Sequence, residues 1–302
     1  MTPTLERARV DTIFGTEGST GEYRPEPLEI EVPRVQGAGL DGIADAPEMD
    51  RKTHFQLVRE GKLGSVHSWE LVTAVDGPGT RLTVFLAGCP LRCVYCHNPD
   101  TLQMREGTPV LADDLLDKIL RYKAVYQATG GGVTFSGGEP MMQPMFLKRL
   151  LRGAKANGVH TNIDTSGFLG ANFSDQDLEL LDMVMLDVKS GNPDTYRKIT
   201  SRPLQPTIDF GQRLFEAGIP VWIRFVAVPG WTDDPDNVSR VADIVAPWKN
   251  VQRLEVLPFH QMARDKWEDL GMEYLLEDVE PPSKEAVEAV RAIFRSRGIT
   301  VF

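Results

Sequence analysis

From about Gly64 to the C-terminus, short β-branched runs alternate with amphipathic helical stretches, and no other feature restricts the fold as tightly. The strand candidates are "RLTVFLA" (81–87), "GGVTFS" (131–136), "VHTNIDT" (159–165), "MVMLDVK" (183–189), "VWIRFVAV" (221–228), "QRLEVLPF" (252–259) and a terminal "ITVF". Between them lie the helical candidates "ADDLLDKILRYKAVYQ", "MQPMFLKRLLRGAKANG", "SDQDLELL", "TIDFGQRLFEAG", "PDNVSRVADIVAPW" and "SKEAVEAVRAIFRSRG". Several run into glycine, which tolerates the left-handed turn at a helix C-terminus. Alternation of this kind implies parallel strands joined by right-handed crossovers. The expected class is α/β: an open, partial (β/α)6 barrel of the TIM type, since six units are fewer than the eight that close one.

Nearly every strand candidate carries polar chemistry at its carboxyl end. The first is followed by the cysteine loop, the second by Ser136-Gly137-Gly138-Glu139-Pro140. The third ends on Asp164-Thr165, the fourth holds Asp187 and Lys189, the fifth Arg224, and the sixth leads to His260. Polar groups gathered at one end of parallel strands describe an active-site face.

The rest of the chain sets limits. Its 302 residues, 41% hydrophobic and 25% charged, suit a globular protein with a substantial core. Apolar runs fall far short of the ~20 residues that span a bilayer, and the N-terminus lacks the apolar segment of a secretory signal. A cytoplasmic protein is expected. The formal net charge of -10 supplies no general attraction to nucleic acid or to an anionic membrane. Residues 15–50 are rich in Pro, Gly and Glu and hold neither period, so 1–62 reads as a disordered or loosely docked N-terminal extension and 63–302 as the catalytic domain.

All three cysteines, Cys89, Cys93 and Cys96, fall within "GCPLRCVYCHNPDT" as C-x3-C-x2-C. Clustered thiols in a long intracellular chain point to a metal or redox site rather than a disulfide framework. A short loop lets the three sulfurs converge on a [4Fe-4S] cube, leaving one iron without a protein ligand. Structural zinc is the alternative; it needs a fourth ligand, and His97, adjacent to Cys96, is poorly placed for that.

The other stretches each carry two readings. Gly137 and Gly138 permit close backbone approach, while Glu139 either fixes its loop or engages an ammonium group. Asp164, Asp187 and Lys189 form an acid-base set or salt bridges on the barrel rim. Arg224, among apolar neighbours, needs a partner; this is a core acid or a ligand. His260 reads as a satisfied rim histidine or a ligand contact, and "DGPGTR" (76–81) as a mobile turn.

The cysteine spacing, with aromatic Tyr95 before the last cysteine, resembles the signature of the radical S-adenosylmethionine superfamily. The segments 75–81, 88–101, 130–140, 160–168, 182–189, 221–234 and 254–274 resemble, in the same order, its glycyl-radical-enzyme activases acting on pyruvate formate-lyase. That resemblance implies a [4Fe-4S] cluster on Cys89, Cys93 and Cys96, with Lys189 and Arg224 also in the catalytic set. It implies S-adenosylmethionine held by Tyr95, Cys96, His97, Gly137, Gly138, Glu139, Asp187, Val188, Lys189, Arg224 and His260. A monovalent cation, Na+ or K+, would sit on Asp164, Thr165, Met185 and Asp187, and Asp76 would touch the substrate loop. The implied reaction is reductive cleavage to a 5'-deoxyadenosyl radical that takes hydrogen from one glycine of pyruvate formate-lyase, in anaerobic glucose metabolism. Flavodoxin or ferredoxin would donate the electron, and a monomer is expected. A radical enzyme acting on a small molecule, an iron-sulfur electron carrier and a zinc-stabilised binding protein are the competing readings.

Overall fold

The computed structural model describes residues 40–73 and 75–302. In chain order the elements are α1 (Arg51–Arg59), β1 (Leu63–Thr73), β2 (Thr80–Leu86), β3 (Thr108–Leu111), α2 (Ala112–Arg121), α3 (Lys123–Thr129), β4 (Gly132–Gly137), α4 (Pro144–Ala156), β5 (His160–Thr165) and α5 (Asp175–Leu178). They continue with β6 (Met183–Asp187), α6 (Pro193–Thr200), α7 (Gln205–Glu216), β7 (Val221–Ala227), α8 (Pro235–Val245), β8 (Val251–Pro258), α9 (Arg264–Asp269) and α10 (Lys284–Arg295).

One eight-stranded sheet runs β3-β1-β2-β4-β5-β6-β7-β8. Its six strands from β2 to β8 pair in parallel, which is the expected open (β/α)6 arrangement. The terminal "ITVF" does not form a full strand; Leu254 makes one parallel bridge to Val301 at the outer edge of β8.

Period-two burial explains the face that each strand presents. Leu82, Val84, Val133, Phe135, Ile163, Val184, Leu186, Ile223, Phe225, Leu254 and Val256 belong to the main core with the helices. The residues between them, Thr83, Thr134, Asn162, Asp164, Met185, Arg224 and Glu255, line the opposite, concave face and hydrogen-bond across it. Polar side chains at alternate positions of otherwise apolar strands therefore line a polar interior.

Several expectations are corrected. The antiparallel strands β1 and β3 escaped the sequence reading because β1 is broken by Ser65, His67, Ser68 and Glu70, and it takes its stability from pairing with β2 and β3. The long helix expected over 112–127 divides at Tyr122, and "SDQDLELL" forms one capped turn. The expected extension over 1–62 lies outside the described residues as far as residue 39. Beyond that, Asp50 caps α1 through the Lys52 and Thr53 N–H groups. Lys118 Nζ and Trp69 Nε1 both donate to Asp41 O, which ties residue 41 to α2 and β1.

The turn at 76–81 also differs from its expected mobility. Thr134 Oγ1 donates to Asp76 O at 2.7 Å and Thr83 Oγ1 to Asp76 Oδ2 at 3.0 Å. Arg81, fully buried, donates from Nη1 to Pro78 O and from Nε to Thr134 Oγ1. The β1–β2 loop is thus tied into the concave face.

Candidate active site

The cysteine loop leaves the carboxyl end of β2 and is held along its length by backbone bonds. Gly88 and Cys89 N–H groups donate to Thr101 O and Leu102 O, and those of Arg92 and Val94 to Thr200 O and Ile199 O. Trp267 Nε1 of α9 donates to Cys96 O at 3.0 Å. All three thiols are free, with Cys93 buried. Burial pushes the Cys96 thiol up to about 12 and raises those of Cys89 and Cys93 as well, with Cys93 adding to the repulsion felt by Cys89 and Cys96. Three soft donors on one preformed loop, in no disulfide, fit an iron-sulfur cluster, whose positive irons would reverse that shift. Among the described residues no three His, Cys, Asp or Glu side chains form a closed metal-binding geometry, so this fit rests on the donor chemistry and the loop.

The Gly-Gly-Glu loop at the end of β4 lies directly against the cysteine loop. Gly138 N–H donates to Leu86 O and Glu139 N–H to Gly88 O, both at 2.8 Å. A Cβ on Gly138 would stand 2.4 Å from Gly88 O. The Glu139 carboxylate is 1% exposed and accepts from Thr165 Oγ1 (2.6 Å), Met141 N–H (3.3 Å), and the N–H and Oγ of Ser166 (3.0 and 2.6 Å). Burial raises its pKa against these four bonds. These four bonds fix the Glu139 loop.

On the concave face Arg224 reaches three carboxylates: Asp164 (3.1 Å), Glu255 (3.2 Å) and Asp76 (3.3 Å). It also donates to Val75 O. Lys189 pairs with Asp187 at 2.7 Å and stands 5.6 Å from the Tyr95 ring centroid; burial opposes its charge, but Asp187 and its other neighbours hold its pKa well above the usual value. Arg253 contacts Glu255. Four carboxylates therefore meet three cations. Burial raises Asp164 to about 6, partly relieved by Arg224 and reinforced by Asp187 and Asp76.

Asp164 stands opposite Met185 in register, Thr165 opposite Leu186, and Asp187 opposite Arg224. The four residues expected to hold a cation are thus on adjoining strand ends. Three of the side chains are turned to other partners here, Asp164 and Asp187 to Arg224 and Lys189 and Thr165 to Glu139, while Met185, which would act through its backbone carbonyl, contacts Asn162 Nδ2 through Sδ. Asp164 Oδ1 is buried with no hydrogen-bond partner among the described residues. Val188 N–H donates to Arg224 O. His97 and His260 join the cysteine loop to the end of β8 by ring contact, 4.1 Å between centroids. Burial and the second imidazole push the His97 pKa down.

Sequence reasoning missed Ser166, Glu255 and Trp267, which position Glu139, Arg224 and Cys96 respectively, and named Ser136 without its bond to Asp164. Alternation along β8 could have flagged Glu255; Ser166 and Trp267 carry no local signal.

The radical SAM superfamily model matches residues 83–240. The chain is 40% identical over 238 residues to the pyruvate formate-lyase 1-activating enzyme of Escherichia coli K12, a match spanning 78% of this chain and 97% of that protein. It is 43% identical over 239 residues to the pyruvate formate-lyase-activating enzyme of Staphylococcus epidermidis, spanning 76% and 95%. Among solved structures, SuiB of Streptococcus suis bound to its precursor peptide SuiA has a TM-score of 0.56 at 17% identity, covering 83% of this chain and 51% of that one; this similarity concerns the fold.

Proposed function

Because the chain belongs to the pyruvate formate-lyase activating enzymes of the radical SAM superfamily, we infer that its concave, strand-end site generates the glycyl radical of a pyruvate formate-lyase. The observation that carries this reading is the cysteine loop, with three free thiols and its backbone clamped to the Gly-Gly-Glu loop of β4. When bound there, a [4Fe-4S] cluster and S-adenosylmethionine supply one electron and a carbon-sulfur cleavage, yielding the 5'-deoxyadenosyl radical that takes hydrogen from the target glycine.

The chain's own residues supply position and charge. Cys89, Cys93 and Cys96 would hold the cluster, with Tyr95, His97 and His260 beside it. Gly137 and Gly138 leave room for close approach of the cofactor to their backbone. Lys189 and Arg224 would face its carboxylate end. The concave face, with one more carboxylate than cations, favours a monovalent cation at Asp164, Thr165, Met185 and Asp187, for which Asp164 Oδ1 is an available oxygen. Asp76, fixed by Thr83 and Arg224, would present its loop to the substrate protein. The reading further includes a flavodoxin or ferredoxin as electron donor, a monomeric state and a cytoplasmic setting; no helix among the described residues is long and apolar enough to cross a membrane.

The test is anaerobic. Reconstituted protein with a reductant, S-adenosylmethionine and pyruvate formate-lyase should yield 5'-deoxyadenosine and a glycyl radical doublet in electron paramagnetic resonance. Deoxyadenosine without the doublet would move the assignment to another substrate. Cys93→Ala should lose cluster iron and reduce cleavage to background while keeping the wild-type circular dichroism; cleavage retained in that variant would refute the ligand assignment.

A further inference from the structure

We propose that an exposed basic edge, formed by Arg92 with Arg197, Lys198 and Arg202 at the end of α6, docks an acidic one-electron carrier protein that reduces the cluster. This rests on the activase reading, which requires an electron to enter from outside the chain. All four side chains are exposed in a protein of net charge -10, and among the described residues none is in an ion pair. Arg105, Arg264 and Lys266, by contrast, are paired with Glu106, Asp265 and Asp100.

Two of these cations contact the cysteine loop. Arg92 Nη1 donates to Cys89 O and Leu91 O at 2.8 and 2.7 Å. Arg202 Nε donates to Pro90 O at 2.7 Å. The carbonyls of Ile199 and Thr200, at the end of α6, accept from Val94 and Arg92 N–H. Lys198 Nζ lies 4.2 Å from the Trp231 ring centroid, which holds its charge at the surface. A protein seated on this edge is one residue, or one hydrogen bond, from the cysteine ligands.

Local positive charge on an acidic protein selects an acidic partner by steering the encounter and suppressing like-charged contacts. The glycine-bearing substrate would instead engage the concave face, and among the described residues these four side chains make no hydrogen bond to its polar groups. The step is a one-electron transfer: the reduced flavin or iron-sulfur group of the carrier is oxidised by one electron and the cluster is reduced by one, with no bond made or broken.

The test uses the full-length reconstituted enzyme and flavodoxin hydroquinone as the probe. Arg92 and Arg202, which bond the cysteine loop, are left intact, and Arg197→Glu and Lys198→Glu are combined. Stopped-flow cluster reduction by flavodoxin should slow by about tenfold or more at low salt, with the gap closing as ionic strength rises. S-adenosylmethionine cleavage driven by photoreduced 5-deazariboflavin, a small reductant, should stay within about twofold of wild type, which also establishes that the variant folds and holds its cluster. A combined Arg197→Gln and Lys198→Gln variant should fall between the two. Unchanged flavodoxin kinetics in the Glu variant would overturn the proposal. So would normal flavodoxin kinetics with loss of deazaflavin-driven glycyl radical, which would assign the edge to the substrate protein. Failure of wild-type cleavage with deazaflavin would instead overturn the activase reading itself.

Discussion

Asp164 concentrates the electrostatic problem of the site. It is one of four carboxylates facing three cations, it shares Arg224 with Asp76 and Glu255, and its folded pKa is raised to about 6. An acid raised above its unfolded value, ~3.9, stabilises the fold through its protonated form. That contribution is complete below about pH 4 and is lost as pH rises through about 6. In urea unfolding at fixed ionic strength, wild-type stability relative to Asp164→Asn should therefore fall between pH 4 and 6. Potassium or sodium, replacing the lost proton, should raise wild-type stability above pH 6 but not that of the variant. Parallel profiles for the two proteins would remove Asp164 from the role of titrating residue and cation ligand.

Among the elements, the contact between the loops after β2 and β4 decides whether three thiols on a chain become a site. Gly137 has a φ of +110°, which disfavours a side chain, and Gly138 abuts Gly88 O, an unyielding backbone atom. Gly138→Ala should cost about 2–3 kcal/mol in denaturant unfolding and lower cluster content, because relief of the clash displaces the cysteine loop. Gly158→Ala provides the comparison: its φ is positive, at +70°, whereas that of Gly138 is not, and nothing lies within 4 Å, so a cost of about 1 kcal/mol from the backbone alone, with full cluster content, is expected. Full cluster content in Gly138→Ala would show that its contact with Gly88 O does not govern the site. The same elements divide what the sequence discloses. Strands β2 and β4 to β8 were legible because burial beneath helices leaves apolar runs, whereas β1 and β3 owe their form to antiparallel pairing and carry no clear period.

Across the whole molecule, Arg224 draws the open sheet together. One guanidinium on β7 reaches Asp164 on β5, Glu255 on β8 and the β1–β2 loop at Asp76. Arg224→Gln leaves those buried carboxylates without their shared cation, and a loss of about 3–5 kcal/mol is expected. Hydrogen exchange should show residues 75–79 and the ends of β5 and β8 losing protection before the main core does. A uniform decrease over all elements would mean that Arg224 contributes to global stability without organising this face.

Strand-helix alternation, the three-cysteine loop and the polar groups at strand ends were determined by the sequence alone, since periodicity and covalent spacing act over a few residues. Which partner each polar group meets was decided only in the tertiary structure. Glu139 meets Ser166 27 positions away and Arg224 meets Asp76 148 positions away. A buried charge is stabilised by whatever the fold brings beside it, and partners so distant in the chain leave no mark on its local pattern.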